Sequence, residues 1–310
     1  MIYNNITETI GKTPLVKLNK ISEGLYANIY VKLENNNPGG SVKDRLALAM
    51  IENAEKEGLI NTDTEIIEAT SGNTGIGLAM ICAVKGYKLT IVMPESMSME
   101  RRNLLQAYGV NLVLTSAAKG MQASIDKANE LHKSNKNSYL TKQFENTSNA
   151  EIHRKTTAVE IWEDTNNKVD MFVAGVGTGG TFTGVSSKLK ELNPKIKCVA
   201  VEPTQSPIIS QAKAGVHKIQ GIGAGFIPKN LDVNLIDEII TIENDEAFEV
   251  ARQTVKQEGI LCGISSGANI AAAIKLASQE KNKAKNIITI IADTGERYLS
   301  TSLFNTTENE

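Results

Sequence analysis

The sequence predicts an α/β fold with mostly parallel sheets. Short β-branched runs alternate with longer stretches of helical pattern along the chain, and this alternation is typical of parallel strands joined by helices. Several of the runs are almost continuously apolar, as strands covered on both faces are. The 310 residues suffice for two modest domains or one large one.

Six strands are predicted from the apolar runs. Each is short and rich in the β-branched and aliphatic residues that favour strands. They cover residues 65–69, 88–93, 111–115, 171–174, 197–201 and 286–292.

Eight helices are predicted from the remaining periodic stretches. Residues 75–84 are apolar on every face, so that helix is expected in the interior. The first predicted helix alternates apolar and charged residues and is expected to be amphipathic. The helices cover residues 41–57, 74–85, 98–108, 119–133, 150–164, 181–192, 245–258 and 266–278.

The composition describes an ordinary globular protein. The formal net charge is −2 and charged residues make up 22% of the chain, without a basic stripe that would suit nucleic acid. The first residues lack the pattern of a signal peptide, and no apolar run approaches the ~20 residues of a membrane span. The sequence therefore predicts a cytoplasmic protein that binds neither nucleic acid nor membranes.

Cysteines and histidines are scattered rather than clustered. Cys82, Cys198 and Cys262 stand in apolar surroundings, without a cysteine or histidine nearby in the sequence. Metal sites need clustered ligands. We therefore expect buried structural thiols and no metal.

Lys43 is a candidate catalytic residue. It follows a turn containing Pro38, Gly39 and Gly40 and lies in the first turn of a predicted helix. Burial near the positive end of a helix lowers the pKa of a lysine and makes its amine a nucleophile. On its own the pattern also fits a surface lysine, and its neighbours supply the argument for catalysis.

A second segment joins a predicted strand to the interior helix. Thr70, Ser71, Asn73 and Thr74 surround Gly72, and glycine allows the backbone to approach a ligand. A helix cap needs one such polar residue rather than four. The segment predicts a site for a carboxylate or another small anion at a helix start.

A third segment, residues 175–181 (GVGTGGT), also lies between a strand and a helix. Its spacing fits a dinucleotide-binding loop, with Glu202 near the place of the ribose-binding acid. A nicotinamide dehydrogenase is therefore an alternative. The loop comes late in the chain, however, and Thr178 and Thr181 suit a single phosphate monoester. A dinucleotide site would also leave Lys43 and Asn73 without roles.

Two further glycine-rich loops are candidates for the same cavity. Residues 221–226 (GIGAGF) need backbone freedom and either line a ligand cavity or form a packing turn. Residues 263–267 (GISSG) place hydroxyls at another helix start, where serine is also a common cap.

Together these segments resemble the cysteine synthase (O-acetylserine sulfhydrylase) family of fold type II pyridoxal-phosphate enzymes. The similarity extends from residues 10–16 (IGKTPLV) to residues 295–301 (GERYLST), with residues 93–98 (MPESMS) between them. The resemblance implies two three-layer domains with mostly parallel twisted sheets, as in the β subunit of tryptophan synthase. It implies a smaller mobile domain over residues 40–150 and a larger domain over 1–39 and 151–310.

The resemblance also implies roles for the candidate residues. Lys43 would form a Schiff base with pyridoxal 5'-phosphate, Asn73 would hydrogen-bond the ring oxygen, and Ser265 would meet the pyridine nitrogen. The implied phosphate-binding residues are Gly177, Thr178, Gly179, Gly180 and Thr181. The implied substrate-binding residues are Thr70, Ser71, Thr74, Gln143 and Gly221.

The implied reaction is a β-replacement through an α-aminoacrylate intermediate. O-acetyl-L-serine and sulfide would give L-cysteine and acetate, with Lys43 removing and returning the α-proton. A serine at the ring nitrogen does not hold that nitrogen protonated, and such a cofactor suits the loss of a group from Cβ. Family members are typically homodimers, and some accept the C-terminal tail of serine acetyltransferase in the active site.

An alternative keeps the cofactor and uses L-cysteine as the donor. Sulfide would leave, and water or a second thiol would add, as in cysteine lyases and in cystathionine- or lanthionine-forming synthases. Water addition needs a base, for which Asp232 is the candidate, although a turn or cap carboxylate also explains it. Two departures from the family pattern bear on the choice: residues 146–153 lack the prolines that many members carry, and Asp293-Thr294 stands where serine is common.

Overall fold

Two sheets organise the chain in the computed structural model, which describes residues 2–70 and 72–305. Ten strands are named along this part of the chain. They are β1 (Leu15–Lys17), β2 (Asn28–Leu33), β3 (Glu65–Ala69), β4 (Lys88–Pro94), β5 (Asn111–Thr115), β6 (Ser138–Leu140), β7 (Met171–Gly175), β8 (Lys197–Pro203), β9 (Glu238–Ile242) and β10 (Asn286–Ile291).

The helices lie between the strands and cover the sheets. Two of them continue as π-helical segments, at His153–Thr157 and Thr254–Glu258. The α-helices are α1 (Lys43–Lys56), α2 (Asn73–Lys85), α3 (Met99–Ala107), α4 (Gly120–Ser134), α5 (Ser148–Ile152), α6 (Ala158–Asp164), α7 (Gly180–Leu192), α8 (Ile208–Gln211), α9 (Asn244–Gln253) and α10 (Ile264–Ala277).

The larger sheet has six strands in the order β1-β2-β10-β7-β8-β9. All of its pairs are parallel except β1 with β2. Along β7, Phe172 packs in a cluster with residues of α6 and α7, whereas Val173 packs in a cluster with residues of α9 and α10. Because successive side chains point to opposite faces, a strand covered on both sides must be apolar throughout.

The smaller sheet has four parallel strands in the order β5-β4-β3-β6. Residues of α1 and α2 pack on one side of it, and residues of α4 pack against Ile67, Ala69 and Val92 on the other. Both sheets therefore lie between helical layers, which confirms the predicted α/β class with mostly parallel sheets.

The six predicted strands agree with the structure to within two residues at each end. Four short strands, β1, β2, β6 and β9, are missing from the sequence prediction. The helix predicted over residues 150–164 is interrupted by a π-helical segment, and the one predicted over 245–258 ends in another.

A buried ion cluster joins the start of α1 to the end of β2 and to α6. Arg45 is 2% exposed and pairs with Glu34, which is fully buried, at 2.7 Å. It also pairs with Glu160 at 2.7 Å, and Glu160 in turn contacts the buried Lys32 at 3.0 Å. Burial opposes ionisation of Glu160, but the hydrogen bonds and charge of Arg45 lower its pKa to about 2.

The three cysteines are free and buried, as predicted. Burial raises the pKa of Cys82 and of Cys262 to about 12 and also raises that of Cys198. Among the helices of residues 2–70 and 72–305, none combines the length and apolar character needed to span a bilayer.

Candidate active site

A small cavity lies at the carboxyl ends of β7 and β10. Ligands bind at this edge of parallel sheets because the loops there are free to converge. The cavity is lined by Val42, Lys43, Ala174, Gly175, Gly177, Thr178, Gly179, Thr181, Phe182, Gly221, Ile222, Ser265, Asn269, Ile290 and Ala292.

Lys43 is the first residue of α1 and reaches the cavity from the side of the smaller sheet. Its amine donates no hydrogen bond to any residue that the structure describes. Burial lowers the pKa of Lys43 to about 8, although the nearby charges of Asp293 and Glu34 act in the opposite direction. Near neutral pH a useful fraction of this amine is therefore uncharged and able to act as a base or nucleophile.

The glycine loop before α7 forms a cup for a small anion. Gly179 has φ +83°, and a side chain on Gly177 would place Cβ 2.3 Å from the carbonyl oxygen of Gly221. The loop is therefore closed to larger residues and leaves the backbone N–H groups at the start of α7 accessible. A helix start of this kind favours phosphate.

Two buried side chains orient the hydroxyls of this cup. Asn149 donates from Nδ2 to Oγ1 of Thr178 at 2.9 Å. His153 contacts Oγ1 of Thr181 through Nε2 at 3.1 Å and Thr157 through Nδ1 at 2.9 Å. Burial, together with the charge of Arg45, lowers the pKa of His153 to about 3, so the ring is neutral at physiological pH.

The start of α2 lies beside the start of α1. A Cβ on Gly77 would be 3.1 Å from the carbonyl oxygen of Lys43, so the two helices approach closely only because Gly77 has no side chain. Asn73 donates from Nδ2 to Asp293 at 2.7 Å. The structure thus brings Asn73 and Lys43 to neighbouring helix starts.

Two of the predicted carboxylate-binding residues, Thr74 and Gln143, belong to one buried hydrogen-bonded group. Thr74 donates to Oε1 of Gln143 at 2.6 Å, and Gln143 donates from Nε2 to Glu68 and to the carbonyl oxygen of Ala69, each at 3.1 Å. Thr70 directly follows Ala69, and its Oγ1 accepts a hydrogen bond from the backbone N–H of Gly72 at 3.2 Å. Ser71, predicted for the same site, lies outside the described residues.

Ser265 and Gly221 are neighbours in the lining of the cavity. A Cβ on Gly221 would lie 3.3 Å from Oγ of Ser265, and Ser265 is 4% exposed at the start of α10. One turn later, Asn269 accepts from the backbone N–H of Gly175 and donates to the carbonyl oxygen of Ile290, each at 2.8 Å. Asn269 therefore ties the ends of β7 and β10 together below the cavity.

Two residues considered from the sequence lie elsewhere. Asp232 is exposed and caps the 3₁₀ helix Val233–Leu235 by accepting from the backbone N–H of Asn234 at 3.0 Å. Glu202 is buried and accepts from the backbone N–H of Ile209 at 2.8 Å, at the start of α8. Its carboxylate is occupied there rather than facing a ribose site.

Sequence reasoning missed Asn149, His153 and Asn269 as parts of this site, and it noted Asp293 only as a departure from the family pattern. Asn269 could have been found, because residues four apart share a helix face and Ser265 was already a candidate. The others reach the site only through long-range packing, for which the local sequence has no signal. Across the described ranges, no group of three or more His, Cys, Asp or Glu side chains is arranged to hold a metal ion.

Comparisons with known proteins agree with this geometry. The sequence profile of the family described as pyridoxal-phosphate dependent enzyme matches residues 6–293. Cysteine synthase A of Escherichia coli (strain K12) is 55% identical over 312 residues, which cover 98% of this chain and 96% of that protein.

Solved structures of similar proteins share the fold of this chain. A hydrogen sulfide-producing enzyme from Fusobacterium nucleatum superposes with a TM-score of 0.93 at 52% identity, covering 96% of this chain and all of that one. Cysteine synthase from Entamoeba histolytica superposes with a TM-score of 0.95 at 46% identity, covering 100% and 93%. The dehydrogenase alternative is therefore wrong, and the chain belongs to the cysteine synthase family of pyridoxal-phosphate dependent enzymes.

Proposed function

We propose that this enzyme makes L-cysteine and acetate from O-acetyl-L-serine and sulfide. The observation that carries this assignment is the buried Lys43 amine, with a pKa of about 8, in a cavity that ends in an anion cup. Cysteine synthase A of Escherichia coli, 55% identical over nearly the whole chain, supports the choice of reaction.

The residues of the cavity fit pyridoxal 5'-phosphate. A Cβ at Gly177 or Gly179 would meet backbone within 3 Å, so the loop is shaped for close approach of a ligand. Gly177, Thr178, Gly179, Gly180 and Thr181 would hold the phosphate, while Ser265 and Asn73 would meet the ring. When bound, the cofactor supplies an aldehyde that links to amines and a ring that accepts electrons from Cα.

Lys43 carries the proton chemistry. As a general base it takes the α-proton of the amino acid at Nζ, and as a general acid it returns that proton after sulfide has added. A pKa of about 8 suits both directions near neutral pH, because neither protonation state is rare.

The start of α2 binds the α-carboxylate of the substrate. Its unpaired backbone N–H groups and the positive helix end attract an anion. Thr70, Thr74 and Gln143 lie near this helix start, and Ser71 is proposed as a further ligand from the sequence. The hydroxyl proton of Thr74 already bonds Gln143, so Gln143 holds Thr74 in place. Gly221, across the cavity, leaves space for the substrate above Ser265.

The segment over residues 40–150 moves as the smaller domain against a larger domain of residues 1–39 and 151–310. The separate helix layers of the smaller sheet support this division. A substrate carboxylate at α2 would draw the smaller domain toward the cavity. The enzyme assembles as a homodimer and accepts a C-terminal tail of serine acetyltransferase, as its family resemblance implies, and light scattering with and without such a peptide measures both.

A second candidate reaction uses L-cysteine as the donor and releases hydrogen sulfide. The structural similarity to a hydrogen sulfide-producing enzyme at 52% identity favours it. Asp232 is the proposed base for water addition, but its carboxylate is exposed and caps a turn. Addition of a second thiol needs no such base.

The purified enzyme with its cofactor is expected to form L-cysteine from O-acetyl-L-serine and sulfide, and to change colour when O-acetyl-L-serine alone is added. Parallel assays with L-cysteine, L-serine and homocysteine rank the donors and acceptors. An unchanged absorbance spectrum and no cysteine would contradict the main assignment. Rapid sulfide release from L-cysteine would then select the second reaction, and the variant Asp232→Asn tests whether its carboxylate takes part.

The variant Gly177→Ala is expected to purify largely without cofactor. The new Cβ would lie 2.3 Å from the carbonyl oxygen of Gly221, so the cup must open and its N–H groups must separate. Absorbance of the purified protein and titration with pyridoxal phosphate measure the loss. Gly24→Ala is the control: Gly24 has positive φ but no atom within 4 Å, so it should cost about 1 kcal/mol of stability and leave cofactor binding unchanged. Equal cofactor content in both variants would contradict the assignment of this loop as the phosphate-binding site.

A further inference from the structure

Asp293 is a buried carboxylate just after the end of β10, where serine would fit the family pattern. It is 1% exposed, and its Oδ2 accepts two hydrogen bonds, from Nδ2 of Asn73 at 2.7 Å and from the hydroxyl of Tyr298 at 2.6 Å. A Cβ on Gly263 would lie 2.2 Å from its Oδ1. Gly263 therefore makes the room that this carboxylate occupies.

Asp293 and Arg297 together determine how the amide of Asn73 is turned. An ionised carboxylate only accepts hydrogen bonds and a guanidinium only donates them. Nδ2 of Asn73 must therefore face Asp293, and Oδ1 must face Arg297, which donates to it from Nη1. One N–H of the amide remains for another acceptor.

The hydroxyl of Tyr298 connects Asp293 to α3, on the side of the smaller sheet. It donates to Asp293 and accepts from Nη2 of Arg101 at 2.9 Å. Arg101 belongs to α3, on the side of the smaller sheet, and also donates from Nη1 to Gln220 at 2.9 Å, next to the loop that lines the cavity. The guanidinium of Arg101 lies over the ring of Tyr298 at 5.1 Å.

The position of α3 is thereby linked to the start of α2. A Cβ on Gly72 would be 2.7 Å from Cδ of Arg101, so Arg101 covers the turn that precedes Asn73. If α3 moves away from Tyr298, the hydroxyl loses the donor that orients it, and its own hydrogen bond to Asp293 is weakened.

We propose that Asp293 is a positioning residue that presents the free N–H of Asn73 to the cofactor ring and couples this orientation to the docking of α3 through Tyr298 and Arg101. The inference rests on the proposed function, because it requires pyridoxal phosphate in the cavity beside Asn73. It adds a residue that is not among those that line the cavity.

The variants Asp293→Ala and Tyr298→Phe test this inference through the affinity and absorption maximum of bound pyridoxal phosphate. Loss of a hydrogen bond to a charged group weakens binding by about tenfold, so Asp293→Ala should bind the cofactor about tenfold more weakly and shift its absorption maximum. Tyr298→Phe should shift both in the same direction by less. Because the two residues act through one contact, the double variant should be no worse than Asp293→Ala alone.

Asp170→Asn is the matched control, because Asp170 is exposed and accepts from Asn286 at the opposite end of β10. It should leave the cofactor affinity and spectrum unchanged. Thermal unfolding, followed alongside, separates positioning from stability. Wild-type affinity and absorption maximum in Asp293→Ala, with or without a lower melting temperature, would overturn the inference, and additive effects in the double variant would overturn the coupling.

These outcomes differ from a failure of the proposed function. If the wild-type protein binds no pyridoxal phosphate and forms no cysteine, the function itself is wrong. If the wild-type protein does both and the Asp293 variants match it in affinity and spectrum, only the positioning role is wrong.

Discussion

The variant Lys43→Ala is expected to lose cysteine formation by about a thousandfold or more, because a positioned general base alone contributes about 10²–10⁴ in rate and Lys43 also anchors the cofactor. No other lysine lines the cavity within the described part of the chain. Steady-state cysteine formation at saturating cofactor measures the loss. Borohydride reduction followed by peptide mapping should place the cofactor on residue 43 in the wild-type enzyme and on no residue in the variant.

Two controls accompany this measurement. Lys43→Arg keeps the positive charge but has a group that does not deprotonate in proteins, so its activity should fall as far as that of the alanine variant. Lys155, which is 67% exposed in a surface ion pair, can be replaced by alanine without loss of rate. Turnover by Lys43→Ala within tenfold of wild type would refute the catalytic assignment.

The variant Arg45→Met is expected to reduce the free energy of unfolding by about 3–5 kcal/mol, the usual effect of breaking a buried ion pair by removing one partner. Glu34 is fully buried and would be left without its cation, while Glu160 would lose a pair at 2.7 Å. Urea or thermal unfolding of the protein with cofactor measures the change. Because α1 begins at Lys43, two residues before Arg45, activity should fall as well.

Arg154→Met provides the comparison for this prediction. Arg154 pairs with Glu191, but the two side chains are 36% and 48% exposed, and pairs of this kind contribute about 0–1 kcal/mol. Equal losses in the two arginine variants would contradict a special role for the buried cluster. The pH dependence offers a second check: since the folded pKa of Glu160 is about 2, its contribution is present above pH ~4.5 and is lost as the pH falls toward 2.

The sequence was sufficient for six of the ten strands named above and for the segments that line the cavity. Strands such as β7 and β10 are covered on both faces, so burial leaves an almost continuous apolar run that is visible locally. Strand β2 was missed because Lys32 interrupts its apolar pattern. Only the fold reveals that Lys32 is fully buried beside Glu160.

The residues of the candidate site also divide into those that the local sequence reveals and those that only the fold reveals. Lys43, Asn73, the loop over residues 177–181 and Ser265 were identified because each lies in a contiguous glycine- or hydroxyl-rich helix start. The groups that orient them were not, since His153 contacts Thr181 and Asp293 contacts Asn73 across 220 positions of sequence. Such pairs depend on how the helices and loops pack.

The burial of the three cysteines has a consequence for an enzyme that handles sulfide and releases a thiol. Only the thiolate exchanges with disulfides or becomes persulfidated. Cys82 and Cys262, with pKa values of about 12, hold almost no thiolate in the cell, and Cys198 is enclosed in the larger sheet. The buried thiols are thereby protected from exchange with disulfides and polysulfides, the oxidised forms of a thiol product and of sulfide.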